Sequence, residues 1–126
     1  MLVPILTNLE ANDEFIDKAA KGAKRVTLLI VVDTSLQNSF GSTASSLAQA
    51  QLAAERIKAA LGKKRKSSEL LVEWGSLEST IDRIAKLKGI NRIVLVKQKG
   101  RAFKRLVRAL SKSTAYKLET IEVREQ

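Results

Sequence analysis

Residues 97–112 form the part of this chain whose residue types are best suited to bind a ligand. The stretch contains no Asp or Glu, and seven of its residues are cationic: Lys97, Lys99, Arg101, Lys104, Arg105, Arg108 and Lys112. It follows an apolar run, Arg92–Val96, and passes through Gly100 into a segment with helical periodicity. A glycine turn from strand to helix exposes backbone N–H groups at the positive end of the helix dipole, where anions are favoured. The sequence therefore predicts an anion-attracting site at this turn.

Two interpretations of this turn remain open. In the first, a phosphate-bearing ligand binds to Lys97, Lys99, Gly100 and Arg101, with Ser111 donating a further hydrogen bond. In the second, Gly100 only begins the helix and the lysines form a solvated basic loop.

An alternative function is nucleic-acid binding, because the chain carries a net charge of +10. The seven cations named above would then form one continuous surface that follows a phosphate backbone. Single-strand binding usually adds stacking aromatic side chains. Phe103 has the spacing of a core residue, while Tyr116 and Trp74 are isolated in the sequence. Trp74 is expected to be a core residue at the rim of the fold or to line a ligand crevice.

The composition excludes several kinds of chemistry. The chain has no cysteine and no histidine, which rules out disulfides, the usual zinc sites and Cys- or His-based nucleophilic catalysis. Asp33 and Glu73 lie near strand ends, but neither a nucleophile nor a metal-ligand set accompanies them. No apolar run approaches the roughly 18 residues of a membrane span. The expectation is a soluble, cytoplasmic protein that is not an enzyme and requires neither a metal nor a cofactor.

Short apolar runs alternate with helical segments along residues 1–126, which predicts one α/β domain around a parallel sheet. The predicted strands are Leu2–Leu6, Arg25–Val32, Glu69–Trp74, Arg92–Val96 and Lys117–Val123. The predicted helices are Ala11–Lys21, Ala44–Leu61, Leu77–Lys88 with Leu87 on its buried side, and a fourth after Gly100 with Phe103, Leu106, Val107 and Leu110 inward. Pro4 indicates an edge or an end of the first strand. A long loop, 33–43, follows the second strand.

Over almost its whole length the chain resembles the universal stress protein family. The matching segments are Leu2-Val3-Pro4, the second strand with Asp33, Gly75 with Ile81 and Ala85, and the fourth strand leading to Gly100. The resemblance implies a three-layer α/β/α sandwich, like that of adenine nucleotide hydrolases, with a five-stranded parallel sheet in the order 3-2-1-4-5. It also implies a homodimer formed through the last strand, and a stress-response or regulatory role without catalysis.

Many members of that family bind ATP or another adenine nucleotide such as AMP. Their motif after the fourth strand is Gly-x-x-Gly, nine residues, then Gly-Ser/Thr; here its positions hold Lys97, Gly100, Leu110 and Ser111, so two of the three glycines are absent. The acidic residue that ends the first strand in those members falls at Leu6, beside Pro4 and Ile5. With Val32 at the end of the second strand, these residues complete the candidate nucleotide site that the resemblance implies.

Overall fold

In the computed structural model, which describes residues 1–7, 9–33 and 47–124, five strands alternate with four α-helices. The strands are β1 (Leu2–Pro4), β2 (Arg25–Val32), β3 (Ser67–Trp74), β4 (Arg92–Val96) and β5 (Lys117–Ile121). The helices are α1 (Asp13–Ala20), α2 (Leu47–Lys63), α3 (Leu77–Leu87) and α4 (Arg101–Ser111), and a short 3-10 helix (Leu9–Ala11) precedes α1. The predicted loop 33–43, apart from Asp33, and the predicted helix start at Ala44 lie outside the described residues.

The five strands form one sheet in the order β3-β2-β1-β4-β5, and every pairing is parallel. Residues of α1 and α2 pack on one face of the sheet, and residues of α3 and α4 pack on the other. The predicted strand order and the three-layer arrangement are therefore confirmed. The order reverses at β1, because β2 and β3 extend to one side of it while β4 and β5 extend to the other.

The core is aliphatic and lies on both faces of the central strands. In β2, all residues after Arg25 are buried, and in β4 all residues after Arg92 are buried. Burial of each such aliphatic side chain contributes about 1.5–3 kcal/mol. A strand that is covered on both faces must be apolar at nearly every position, which explains the continuous run of apolar residues in β2.

Some helix and strand boundaries differ from the sequence expectation. The first helix begins at Asp13 rather than Ala11, because the Asn12 side chain accepts a hydrogen bond from the Glu14 N–H at 2.7 Å and caps it. The last strand ends at Ile121 rather than Val123. The prediction that Leu87 is buried was wrong: its exposed fraction is 74%, while Leu77 and Thr80 are buried in α3 instead.

Pro4 is the last residue of β1, and its backbone faces the neighbouring strand β4. The Met1 carbonyl accepts from the Thr27 N–H, and the Ile5 N–H donates to the Leu29 carbonyl, both at 2.8 Å, so residues 1 and 5 are hydrogen bonded to β2. Backbone groups alternate sides along a strand, so residue 4 faces β4, where proline has no N–H to donate. In the described chain, Leu2 paired with Ile93 is the one register pair between β1 and β4. These neighbouring strands therefore stop pairing early at their carboxyl ends.

Gly100 is expected to tolerate no other residue without a cost in stability. Its φ of 109° lies in the region that only glycine adopts readily, although a Cβ there would meet no atom within 4 Å. We expect Gly100→Ala to lower the free energy of unfolding by about 1–3 kcal/mol through backbone strain alone. Urea denaturation followed by circular dichroism measures this change.

Gly62 provides the matched control, because it lies within α2 and a Cβ there also meets nothing within 4 Å. The same change at this helical position, Gly62→Ala, is expected to raise stability by about 0.5–1 kcal/mol. Equal effects of the two substitutions would contradict the strain at Gly100.

Candidate anion-binding cleft

An open cleft of about 800 Å³ lies beyond the carboxyl ends of β1, β4 and β5. It is lined by Thr7, Leu9, Lys97, Gln98, Lys99, Glu122 and Val123. The cleft therefore lies at the reversal of strand order, where ligands of open parallel sheets bind. The early end of pairing after Pro4 contributes to it, since the chain after β1 and the chain after β4 form its opposite walls.

The wall that follows β4 carries the groups suited to bind an anion. The Lys97 backbone N–H donates to the Ile121 carbonyl at 2.8 Å, which fixes the start of this segment against β5. The side chains of Lys97 and Lys99 are exposed. Between them, the amide nitrogen of Gln98 is buried and has no hydrogen-bond partner in the described part of the chain. An unsatisfied buried donor costs about 1–3 kcal/mol, which an acceptor oxygen of a ligand would recover.

The other lining residues, which follow β1 and β5, determine what else a ligand must carry. Leu9 and Val123 are half-buried apolar side chains, and Glu122 is an exposed carboxylate. A carboxylate repels an anion and accepts hydrogen bonds. The cleft therefore suits a ligand with an anionic group on the lysine side and hydroxyl or amino groups on the Glu122 side.

Gly100 and Arg101 follow the cleft wall directly and begin α4. Gly100 is the N-cap residue of α4. Because glycine has no side chain, it caps none of the N–H groups in the first turn of the helix. The Gly100 carbonyl accepts from the Lys104 N–H at 3.3 Å. Arg101 is exposed at the first position of α4. Both residues lie beside the cleft, although neither lines it.

The remaining residues of the predicted nucleotide site do not reach the cleft. Ile5 and Val32 are core residues with exposed fractions of 3% and 0%, and Pro4 is buried at the end of β1. Leu6 is half-buried against the cluster beneath α3 and α4. The structure thus places these four side chains in or against the core rather than at a ligand surface.

Ser111 is also distant from the cleft and does not line it. It is the last residue of α4, and ten residues of helix separate it from Arg101 by about 15 Å along the axis. Leu110, which aligns with the third glycine of the family motif, is 1% exposed in the core. The chain enters α4 immediately after Gly100, so the second half of that motif becomes helix.

The other predicted polar and aromatic candidates also lie outside the cleft lining. Trp74 ends the edge strand β3 with an exposed fraction of 58%, so its interpretation as a rim core residue is wrong. The Glu73 carboxylate forms an ion pair with Arg83 at 3.1 Å, and Asp33 is buried at the end of β2. These residues are structural or peripheral to the cleft.

Sequence reasoning missed Glu10, a fully buried carboxylate behind the cleft wall. Its oxygens accept hydrogen bonds from the Leu6 N–H at 3.1 Å, the Thr7 N–H at 3.0 Å and the Thr7 hydroxyl at 3.0 Å. The Thr7 hydroxyl in turn accepts from the Leu9 N–H at 2.9 Å. Glu10 therefore fixes the turn that carries Thr7 and Leu9 into the cleft.

A sequence signal for Glu10 was present. Thr7 and Glu10 are spaced as in a capping box, where a Thr caps a helix start and a Glu three residues later reaches back to the Thr backbone N–H. In the structure, the Thr7 hydroxyl accepts from the Leu9 N–H at the start of the 3-10 helix, and the Glu10 carboxylate accepts from the Thr7 N–H. Burial raises the pKa of Glu10 to about 7, against the opposing effect of the hydrogen bonds from Leu6 and Thr7.

Comparison with solved structures shows a likeness in fold. No protein-family model matches the chain, and no curated protein matches its sequence. A crystal structure of a protein from the universal stress protein family of Burkholderia pseudomallei superposes with a TM-score of 0.64 at 15% sequence identity. The match covers 95% of this chain and 94% of that one. The chain therefore has the fold of that protein over nearly its whole length.

Glu10 makes the stability of the fold depend on pH near neutrality. Its pKa rises from 4.5 to about 7 on folding, so the folded state binds more protons between these values. The contribution of Glu10 to the free energy of unfolding is fully present below pH 4.5 and is lost as the pH rises through 7. We expect the free energy of unfolding to fall by about 2 kcal/mol from pH 5 to pH 7.

Urea titrations at pH 5 and pH 7 on the wild type and Glu10→Gln measure this dependence. The variant is less stable at both pH values, since an amide cannot accept all of the hydrogen bonds, and it lacks the fall with pH. A fall of the same size in Glu10→Gln would assign the effect to another group.

Proposed function

We propose that this protein is a non-catalytic, universal stress protein-like regulatory protein that binds a phosphate-bearing small molecule in the cleft at the carboxyl ends of β1, β4 and β5. The observation that carries the proposal is the wall formed by Lys97, Gln98 and Lys99. Two exposed cations there flank a buried amide donor that has no hydrogen-bond partner among the described residues. The fold likeness supports a stress-response or regulatory role, since it extends over nearly the whole chain.

The three kinds of group at this wall suit different parts of a phosphate. The ammonium groups of Lys97 and Lys99 supply charge, and charge-assisted hydrogen bonds to phosphate are about twice as strong as neutral ones. The amide of Gln98 supplies a donor that is already ordered. The uncapped first turn of α4 adds positive potential beside them. Glu122 favours a phosphate ester that carries hydroxyl or amino groups over inorganic phosphate.

The chemistry of the cleft supports binding rather than turnover. The chain has no cysteine or histidine to act as a nucleophile or as a base near neutral pH. Lysine, glutamine and a single exposed carboxylate line the polar part of the cleft. Within the described ranges, no helix has the length and apolarity needed to cross a bilayer. The absence of cysteine also suits the reducing environment of the cytoplasm, which we propose as the location.

Removal of the two lysines is expected to weaken ligand binding. We expect ATP, AMP or sulfate to give measurable heat on titration at low salt, with the phosphate esters binding more tightly than sulfate. Lys97→Ala/Lys99→Ala should reduce the affinity about 2- to 30-fold, because both side chains are exposed and an exposed ion pair contributes about 0.2–1 kcal/mol. Isothermal titration calorimetry measures both results.

Lys104→Ala/Lys112→Ala is the matched control, since it removes the same charge from α4 outside the cleft. This variant should retain most of the affinity. The proposal fails if no anion produces heat at low salt, or if the two double variants weaken binding equally.

We also propose that the protein is a homodimer joined through the open edge of β5. The edge strand carries Leu118 and Ile121, both half-buried, which a partner strand would cover. The Lys117 N–H donates to Asn91 and the Ile121 carbonyl accepts from Lys97, so odd-numbered residues of β5 bond to β4. The alternating N–H groups of Leu118 and Thr120 therefore point to the open edge, where a second copy could pair with them.

Thr120→Pro is expected to convert the dimer to a monomer without unfolding it. Thr120 is exposed, and proline there removes only an N–H that points away from β4. Native mass spectrometry and sedimentation measure the subunit count. Ser68→Pro is the control at the other edge, because Ser67 and Gly75 bond to the β2 side and the Ser68 N–H points outward. A dimer that survives Thr120→Pro but dissociates with Ser68→Pro would assign the interface to β3.

A further inference from the structure

The acidic residues of this chain are absent from a long continuous stretch. Residues 83–118 contain no Asp or Glu and twelve cations: Arg83, Lys86, Lys88, Arg92, Lys97, Lys99, Arg101, Lys104, Arg105, Arg108, Lys112 and Lys117. The stretch runs from within α3 through β4 and α4 to the start of β5. Lys97 and Lys99 line the cleft and Lys117 begins β5. The other nine cations form two groups with different surroundings.

The first four cations are neutralised by ion pairs with acids from other parts of the chain or of the same helix. Arg83 pairs with Glu73, Lys86 with Asp82, Lys88 with Glu69 and Arg92 with Glu119, at distances of 2.7–3.1 Å. Hydrogen bonds from Lys88 and from Arg92 lower the pKa values of Glu69 and Glu119. These cations belong to the internal structure of the fold.

The cations of α4 have no such partners. Arg101, Lys104, Arg105, Arg108 and Lys112 are all exposed, and none forms an ion pair with an Asp or Glu that the structure describes. We name these five residues the α4 row. Arg101, Arg105, Arg108 and Lys112 follow one another at intervals of four, three and four residues, and Lys104 lies beside them, three residues after Arg101. All five therefore lie along one face of the helix, over about 16 Å.

We propose that the α4 row binds the phosphate backbone of a double-stranded nucleic acid. A straight row of unpaired cations attracts a polyanion with regularly spaced charges, and the binding gains free energy by release of counterions. The row contains two kinds of cation, and its three arginines can hold a phosphate with two parallel hydrogen bonds.

The other face of α4 argues against a membrane as the partner. Phe103, Leu106 and Leu110 are buried in the core with exposed fractions of 5%, 1% and 1%. A helix that binds at a bilayer surface inserts its apolar face, and this face is already covered by the sheet. The apolar face of α4 is therefore not available to insert into a bilayer, and the face that a partner can reach carries the cations.

The lack of exposed aromatic side chains on α4 favours a duplex over a single strand as its partner. Proteins that bind single strands stack the bases on exposed aromatic rings. The one aromatic residue of α4, Phe103, is buried, and Tyr116 beyond its end is 7% exposed with its hydroxyl donating to Asp82 at 2.7 Å. The α4 row therefore contacts the backbone without reading bases, so binding should be independent of sequence.

Fluorescence anisotropy with a labelled DNA duplex at several salt concentrations tests the proposal on the full chain. Five phosphate contacts predict that log K falls with log salt with a slope of about −4.5. Arg105→Glu/Arg108→Glu should weaken binding at least tenfold at low salt and reduce the slope by about 1.8. If circular dichroism shows that this variant is unfolded, Arg105→Gln/Arg108→Gln is used in its place.

Lys21→Glu/Lys24→Glu is the matched control, because both residues are exposed and the change in net charge is the same. This control should retain the wild-type slope. The proposal is overturned if both charge reversals weaken binding equally, which would reduce the effect to net charge. It is also overturned if a single strand of the same length binds more tightly than the duplex, or if phosphatidylserine vesicles or an acidic protein bind where the duplex does not.

The test is independent of the cleft. Arg105 and Arg108 do not line it, so loss of duplex binding with unchanged heat for ATP affects this inference alone. Loss of ATP binding in the lysine variants with normal duplex binding affects the proposed function alone.

Discussion

The reversal of strand order at β1 is the constraint on which the arrangement of this molecule depends. β1 and β4 are neighbouring parallel strands, but the chain leaves them toward opposite faces of the sheet. After β1 it continues to α1 on one face, and after β4 it continues to α4 on the other. Pro4 strengthens that divergence, because it offers no N–H toward β4 where pairing would otherwise continue. The cleft, the position of Lys97 on its wall and the start of α4 beside it all follow from this local end of hydrogen bonding.

The sequence predicts the fold well because its strongest patterns are physical requirements of this architecture. The nearly continuous apolar run in β2, interrupted only by Thr27, is typical of a strand that is covered on both faces, and the prediction of the strand bounds, Arg25–Val32, was correct. The strand order came from resemblance and not from these patterns. Predictions were weaker at the ends of elements, where side-chain caps such as Asn12 decide the boundary. Leu87 follows the helical spacing of core residues, but it is the last residue of α3 and its side chain is exposed.

The site was only partly predictable, for reasons that differ between residues. Lys97 and Lys99 were identified from charge density next to a strand end, and the structure brings both to the cleft. Ser111 was assigned from its position in the family motif, whereas in this chain the length of α4 separates it from Gly100. Glu10 was not predicted because it lies in the 3-10 helix, away from the strand ends where acidic residues usually act in such sheets. A carboxylate that supports a turn by accepting hydrogen bonds from the N–H groups of that turn can lie several residues beyond the strand.

The unpaired cations of α4 also have a consequence for the helix itself. Five like charges along one face repel each other, and repulsion between like charges three and four residues apart lowers helix stability by a few tenths of a kcal/mol per pair. Dissolved ions screen this repulsion over distances of about 8 Å at physiological ionic strength. Arg101 adds to the cost, since a cation in the first turn opposes the helix dipole. Helix α4 is therefore less stable in dilute buffer than at the ionic strength of a cell. Ionic strength thus changes the stability of the native state even when no ligand is bound.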